Sequence, residues 1–460
     1  MSSPSTAAIL LETPPSDLLG QPHLPLELIG ACLEFLHDDF QTLRECLFVG
    51  RATLHVCRKH LFRVVVVIVS ALWSDIKAFY AFWQSSKHLL LHVKDLTFDG
   101  PSLRKYGGLL DLFSGAQLET FRYYVDNNTL ASSSVDLALM RSFLCDSRST
   151  LVEIHLTRVH RFPADMLAEF RNLEKLCFYP KTPINTIGSH HNEEFEEDIT
   201  KLPQENSIPL TELVIVEYMT PETWFDLHYC IDATALRKLK VIHRSAAGFE
   251  PLQAFLEKVA QHIEHLIFRP SLPILDSTIR TSPLDLLLFR NLRQLEFRIS
   301  YSDVDLAFLR WIYEHLRVLP RANPIQELVI NAPSIWLQTD HTCDRTPEGE
   351  CRASGLPIVD CLSGQLELMR ILCKLDGVLA GFSGLNEVQV FCENLGLDDV
   401  FPALAALGRL VVPFMDPYHE EAIEELLDDE ANDEEADWDE SDSEDISLES
   451  LIGGDESEDF

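Results

Sequence analysis

Two groups of side chains in this sequence have the chemistry of metal ligands. One comprises His190, His191 and the acidic run 193–198, and the other comprises His341, Cys343, Cys351 and Cys361. Imidazole, thiolate and carboxylate groups bind zinc in proteins, but structural zinc sites take them from short, paired spacings such as CxxC. Neither group has such a pair, so we expect no metal ion at either of them.

Sequence motifs of common enzyme classes are absent too. The chain contains no GxxxxGK[ST] phosphate-binding loop, no GxGxxG, no GxSxG and no HExxH. We identify no nucleophile among its residues. We therefore expect a protein that is not an enzyme and that has no catalytic, cofactor-binding or metal-binding residues.

The formal net charge of −36 is concentrated at one end of the chain. Residues 420–460 contain 21 Asp and Glu and no Lys or Arg, so the other residues together carry −15, the difference between these values. A protein that follows the phosphates of a nucleic acid needs a basic patch. We therefore expect no nucleic-acid partner.

Cysteine usage and apolar runs indicate the compartment. The 11 cysteines are scattered without CxxC pairs, which is typical of a reducing environment. Residues 1–21 lack a basic n-region and are rich in Ser, Thr and Pro, so we expect a disordered leader there and not a signal peptide. The apolar run 64–72 is far shorter than the roughly 20 residues that span a bilayer. We expect no membrane contact and a cytoplasmic or nuclear location.

The segment that follows the leader combines a helix-start signal with a large apolar surface. Pro25 suits the first turn of a helix because that position needs no N–H donor. The apolar positions with helical spacing are Leu28, Cys32 and Leu36, then Leu43, Cys46, Leu47 and Val49, then Val56, His60 and Leu61. Three helices in about forty residues are near the lower size limit for independent folding, so we expect a partner to cover this surface.

Residues 22–67 resemble the F-box of fungal F-box proteins, particularly the large basidiomycete group. The shared elements are Leu24-Pro25, Glu27-Leu28-Ile29, the run 36–39, Leu43, the turn 49–51 and the run 60–63. Two positions depart from the family pattern. Gly50 stands where the family often has Cys or Ser, and Leu54 stands where it often has Trp.

The resemblance implies that these helices bind the Skp adaptor of a cullin-RING ubiquitin ligase. The residues that it implies as anchors are Leu24, Pro25, Leu28, Ile29 and Leu36. Fewer aromatic side chains in the third helix would weaken this contact. The alternative is a generic three-helix bundle at the start of a larger domain.

A six-residue pattern with the form LxxLxL recurs after residue 90. Its copies are 93–98, 151–156, 173–178, 210–215, 236–241, 263–268, 292–297, 325–330 and 385–390, with weaker ones at 118–123 and 407–412. The starts at 210, 236, 263 and 292 are 26, 27 and 29 residues apart. These intervals lie within or close to the leucine-rich-repeat period of about 20 to 29 residues.

Apolar stretches with helical spacing lie between the copies, as at 251–262 and 303–316. A strand and a helix per unit cannot bury their apolar faces alone, so neighbouring units must stack. We therefore predict an α/β fold: an irregular leucine-rich-repeat solenoid over 68–418, with parallel strands on the concave face and helices on the convex face. Degenerate repeats of this kind again resemble fungal F-box proteins. An ordinary α/β domain is the alternative.

Three segments fall outside this rhythm. Residues 181–209 and 331–357 are rich in loop-forming residues and are expected to be surface insertions, either tolerated or functional. Residues 419–460 are acidic and poor in apolar side chains, so we expect a disordered tail. The tail either keeps the protein soluble or binds a partner.

The LxxLxL register predicts which side chains face the core and which face a partner. The third apolar positions point inward: Leu156, Phe178, Ile215, Val241, Phe268, Phe297 and Ile330. The intervening positions point to the concave face, and the basic ones there are candidate substrate contacts: Lys175, Lys238, Lys240, Arg269 and Arg298. They could meet an acidic or phosphorylated substrate segment, could be covered by the chain's own tail, or could be scattered solvated charge.

These observations together predict a substrate receptor of an SCF-type ubiquitin ligase. The F-box would bind the Skp adaptor and the solenoid would bind a protein substrate, while other subunits transfer ubiquitin. The alternative is a leucine-rich-repeat protein whose acidic tail binds or chaperones basic partners such as histones, outside the ubiquitin system. Proteins of that second class have no F-box.

Overall fold

In the computed structural model, the described residues are 26–37, 39–69, 76–100, 108–125, 134–159, 164–180, 207–216, 221–243, 249–270, 284–298, 306–331, 358–391 and 400–411. The leader 1–21 and the tail 419–460 lie outside them, as do residues 181–206 and 332–357 of the two expected insertions. Of the candidate metal ligands named first, His190, His191, the run 193–198, His341, Cys343 and Cys351 also lie outside them, whereas Cys361 falls within the described range 358–391.

Twelve strands form one parallel sheet in which each strand pairs with the next one along the chain. They are β1 Val64–Ile68, β2 Asp95–Gly100, β3 Thr120–Val125, β4 Glu153–Val159, β5 Lys175–Pro180, β6 Glu212–Val216, β7 Lys238–His243, β8 His265–Pro270, β9 Gln294–Arg298, β10 Glu327–Asn331, β11 Glu387–Phe391 and β12 Leu410–Val411. This order is that of a solenoid-like fold. The prediction of an α/β fold with parallel strands is confirmed.

Helices precede the sheet and connect its strands, as parallel pairing requires. They are α1 Leu26–Glu34, α2 Phe40–Cys46, α3 Arg51–Leu61, α4 Ile76–Ser85, α5 Ser134–Leu144, α6 Ala164–Leu167, α7 Pro221–Cys230, α8 Phe249–Val259, α9 Leu306–Leu316, α10 Ile358–Ala380 and α11 Pro402–Ala406. Trp224, Phe255 and Phe308 on three of them are fully buried in one continuous core. None of the helices in the described ranges is long and apolar enough to cross a membrane.

Alternation along the strands separates the core from the other face of the sheet. Successive side chains of a strand point to opposite faces, so one register error would exchange core and surface. The predicted core positions are all buried in the structure: Leu156, Phe178, Ile215, Val241, Phe268, Phe297 and Ile330. The register predicted from the LxxLxL pattern is therefore confirmed.

The three N-terminal helices form a separate unit with its own small core. Its buried residues are Leu33, Leu43 and Cys57, one from each helix. The carboxylate of Asp39 caps α2 because it accepts hydrogen bonds from Thr42 N at 3.0 Å and Thr42 Oγ1 at 2.6 Å. The second helix is shorter than its apolar pattern predicts, since it ends at Cys46 and leaves Val49 in the following turn.

The helical unit continues directly into the sheet. The carbonyl of Arg63, just after α3, accepts hydrogen bonds from Lys94 N and Asp95 N, both at 2.9 Å. Residues Val64–Ile68 then form β1, which pairs with β2. The predicted boundary after residue 67 therefore falls inside the first strand of the sheet.

Candidate functional site

The helical unit exposes large apolar side chains next to its small core. Phe35 at the end of α1 is 86% exposed, and Phe48 in the turn after α2 is 88% exposed. Leu28, Phe40 and Val49 are also at least half exposed. We group these exposed side chains as the candidate contact surface of the helical unit, because their exposure to water is unfavourable and a partner could cover them.

The predicted anchors divide into three groups. Leu24 and Pro25 lie outside the described residues. Leu28 is exposed and available to a partner. Ile29 and Leu36 are half-buried and pack against the small core of the helical unit. Their side chains therefore pack in the core and remain partly accessible to a partner.

The predicted anchors do not include Phe35 and Phe48, the most exposed aromatic residues in the described part of the helical unit. Phe35 stands seven residues after Leu28, so helical spacing could have placed both on the same side of α1. Phe48 follows the helix in a turn, where periodicity gives no signal. Only the structure shows that the Phe48 side chain is left in water.

Gly50 and Leu54, the two departures from the family pattern, have different surroundings. Gly50 is the N-cap of α3 in extended conformation, and a side chain added there would meet nothing within 4 Å. A Cys or Ser would fit at this position. Leu54 is half-buried in α3. Neither residue disturbs the helix that contains it.

The face of the sheet opposite the core, which we call the second face, carries the first, third and fifth residues of the strands. Charges alternate along its first row. Glu153, Lys175, Glu212 and Lys238 come from four successive strands and stand side by side in register. Lys175 Nζ lies 2.7 Å from Glu153 Oε1, and Lys238 Nζ lies 3.1 Å from Glu212 Oε1.

All five basic residues predicted as substrate contacts belong to strands of the second face. Lys175, Lys238 and Arg298 are each paired with a carboxylate, the last through Glu296 Oε1 at 2.5 Å. Lys240 is buried, and Arg269 is half-buried. Three of the five positive charges expected here therefore have a carboxylate beside them.

An apolar patch occupies the centre of the second face. Cys177, Val214, Val216 and Ile242 are buried there in one cluster, with Tyr179 packed against it. The sequence analysis missed this patch because it assigned only charged positions to that face. The run of four apolar residues in β6 was the available signal, since a strand that is apolar on both sides has two covered faces.

Next to this patch, four polar groups of β4 and β5 meet. In register, Glu153 stands beside Lys175, and His155 stands beside Cys177. His155 Nε2 lies 2.6 Å from Glu153 Oε1, the same oxygen that Lys175 contacts. The ligand-forming atoms of Glu153, His155 and Cys177 all lie within 4.8 Å of one another.

The protonation of this cluster follows from its burial and its hydrogen bonds. The hydrogen bond from His155 lowers the pKa of Glu153 to about 2, with a further contribution from Lys175, although burial acts in the opposite direction. Burial lowers the pKa of His155 and raises the pKa of the Cys177 thiol to about 12. At neutral pH the cluster therefore contains a carboxylate, a neutral imidazole and a thiol.

No protein-family model matches the chain, and no curated protein matches it either. These comparisons therefore assign no family. The function has to be inferred from the residues and their arrangement.

Proposed function

We propose that the protein is a non-enzymatic substrate receptor of an SCF-type ubiquitin ligase. The N-terminal helical unit binds the Skp adaptor, and through it the cullin-RING core. The second face of the solenoid binds a protein substrate. The site of action is the cytoplasm, the nucleus or both.

The observation that supports the adaptor contact is the exposed apolar surface of the helical unit. Leu28, Phe35, Phe40 and Phe48 are exposed, whereas among the described residues of this unit only three apolar side chains are buried. A core this small gains little from hydrophobic burial, so covering the exposed side chains with a partner would add much of the missing free energy. The resemblance of this segment to an F-box indicates the Skp adaptor as that partner.

Purified full-length protein and a purified Skp adaptor test this contact directly. We expect Phe35→Ala and Phe48→Ala each to weaken the adaptor complex by about thirtyfold, which corresponds to about 2 kcal/mol at an interface hot spot. Both side chains are solvent-exposed, so the fold should be unaffected. Val318→Ala is the control, because Val318 is an exposed apolar residue in the turn after α9, outside the helical unit.

The result that contradicts the adaptor contact is equally specific. Wild-type protein that fails to bind the adaptor, or a complex that tolerates Phe35→Ala and Phe48→Ala together, would reject it. The alternative class would be supported if the protein instead binds purified histones, if this affinity falls steeply with salt, and if removal of residues 420–460 abolishes the binding.

The substrate contact is a separate part of the proposal. Lys175, Lys238 and Lys240 stand on the strands that carry the apolar patch, and Arg269 and Arg298 stand on the next two strands, so these five side chains follow one continuous stretch of the second face. We expect the double substitution Lys238→Glu and Arg269→Glu to remove a subset of the proteins that co-purify with the full chain, while adaptor recovery stays unchanged. An unchanged set of co-purifying proteins would place the substrate elsewhere.

The tail could compete for the same face. If residues 420–460 cover it in the free protein, deleting them should raise the affinity for the proteins lost in the double substitution. The linkage would give the tail an effective concentration of up to about millimolar order. The gain should shrink as salt rises, because attraction between exposed charges is screened.

A further inference from the structure

We propose that Glu153, His155 and Cys177 form a binding site for a divalent transition-metal ion, with Zn²⁺ as the preferred ion. The site lies on the second face, between the apolar patch and the neighbouring strand β4. It does not depend on the proposed function in ubiquitin transfer.

The geometry requires only small movements. In a tetrahedral zinc site, ligand distances of about 2.0 to 2.3 Å place the ligand atoms about 3.4 to 3.6 Å apart. Here these atoms lie within 4.8 Å of one another before any ion is bound. Their backbones belong to two hydrogen-bonded strands in the interior of the sheet, so rotation of the side chains alone must adjust the remaining distances, including the separation of His155 Nε2 from Glu153 Oε1, which are now 2.6 Å apart.

The ligand set selects the ion. A carboxylate oxygen, an imidazole nitrogen and a thiolate sulfur suit Zn²⁺, whereas Mg²⁺ and Ca²⁺ require mainly oxygen ligands. Three protein ligands leave a fourth position for water or for a group from a bound partner. Cys177 enters the complex as a thiolate, so its S–H bond breaks and the proton leaves to solvent as the metal–sulfur bond forms.

Two cationic side chains oppose the ion and set the strength of its binding. Lys175 Nζ forms an ion pair with Glu153 Oε1, and Arg122 of β3 stands beside His155 in register. An incoming ion must displace Lys175 from Glu153. Glu212 stands beside Lys175 on its other side and can accept it. The Lys175 ammonium group is therefore a built-in competitor of the metal.

This competition separates a metal site from a network of polar groups that only stabilises the fold. Loss of Lys175 would weaken a purely structural network, because it removes an ion pair. The same loss would strengthen metal binding, since one positive charge a few ångströms from the ion disappears. At the high effective dielectric of a partly exposed site, we expect an affinity gain of about tenfold.

The test uses the purified full-length chain after removal of metals with a chelator. Titration with Co²⁺ reports a tetrahedral thiolate site through visible ligand-field bands and a near-ultraviolet sulfur-to-cobalt charge-transfer band. Added Zn²⁺ should displace the cobalt. The chain contains 11 cysteines, so the difference between wild type and Cys177→Ser isolates this site. Cys373→Ser, at an exposed cysteine, is the matched control.

We expect the Cys177-dependent band in wild type and in Cys373→Ser, and its loss in Cys177→Ser. His155→Gln and Glu153→Gln should weaken Co²⁺ binding at least about tenfold. They also keep the test decisive if Cys177→Ser melts early. Lys175→Met should bind about tenfold more tightly and Lys175→Arg as wild type does. Absence of a Cys177-dependent band, or weaker binding by Lys175→Met, would overturn the proposal.

Discussion

The helical unit and the sheet bury their apolar residues on very different scales. The sheet and its connecting helices share one continuous core, in which neighbouring strands contribute to each other's packing. In the described part of the helical unit, the buried apolar side chains are Leu33, Leu43 and Cys57, while Phe35 and Phe48 remain in water. The sheet region relies on this shared core, whereas the helical unit relies on a core of three apolar side chains and leaves larger ones exposed.

The comparison teaches where partners should act on stability. A ligand that binds only the folded state raises stability by mass action, and the gain is largest where the isolated unit is weakest. A partner on the helical unit should therefore protect that unit strongly. A partner on the second face should add little to the stability of a sheet that is already well packed.

The largest effect is expected in the sheet core. Phe268 is fully buried and stacks on Trp311, with ring centroids 5.7 Å apart. Phe268→Ala should lower the free energy of unfolding by about 3 to 5 kcal/mol, because it removes buried surface and leaves a cavity. Urea denaturation followed by circular dichroism measures this change. Leu287→Ala, at an exposed residue, is the control and should leave the midpoint almost unchanged.

A matching substitution in the helical unit should act locally. Leu43 is fully buried in the small core, and Leu43→Ala should cost that unit about 2 to 5 kcal/mol. Hydrogen exchange should then accelerate at the amides of α2 and α3, while the amides of β7 and β8 stay protected. Equal acceleration in both regions would show that the two units unfold together, and the comparison would fail.

Two capping carboxylates, one in each region, allow a finer comparison. Asp376 is buried in α10 and accepts hydrogen bonds from Ala403 N at 2.9 Å and Leu404 N at 3.0 Å, at the start of α11. Asp376→Ala should cost about 1 to 3 kcal/mol because it leaves buried N–H groups without a partner. Asp39→Ala removes the exposed cap of α2, so its effect on the thermal midpoint should be smaller.

The smallest expected effect is a response to acid in the sheet region. Burial lowers the pKa of His315 below its ordinary value of 6.5, although its hydrogen bond to the Trp311 carbonyl and the nearby Asp285 act in the opposite direction. The unfolded chain therefore takes up a proton at a higher pH than the folded protein does. This contribution to stability is present above about pH 6.5 and is lost as the pH falls through the lowered pKa.

A melting experiment at two pH values checks this sign. The thermal midpoint of the wild type should fall between pH 7.5 and pH 5.5. His315→Gln, which has no titrating group at this position, should lose less over the same interval. A larger loss in the variant would mean that protonated His315 stabilises the folded state.

The sequence predicted the sheet well because its signal is local and repeated. The pattern around Phe268 and Phe297 places apolar residues at fixed intervals, and backbone alternation then determines which side chains are buried. The same reasoning put Lys175 and Lys238 on the second face. Their pairing with Glu153 and Glu212 was missed, because it depends on which strands become neighbours.

The cluster of Glu153, His155 and Cys177 was missed for the same reason. His155 and Cys177 are 22 residues apart and show no short spacing between them. Only the pairing of β4 with β5 brings them side by side. Aligning the copies 151–156 and 173–178 would have revealed the match, since both residues hold the same position in their copy. The exposure of Phe48 could not be predicted, because it depends on how the turn after α2 packs.

Because each strand pairs with the next one along the chain, the place of a strand in the sequence determines its distance from β1. Neighbouring strands in a sheet are about 4.8 Å apart, so the path from β1 to β12 measures about 50 Å, and β4 and β5 lie about 15 to 20 Å from β1. The helical unit enters at β1 through Arg63. The place of each strand in this order therefore determines its distance from the helical unit. Inserting or deleting one strand-and-helix repeat would shift every later strand by about 4.8 Å.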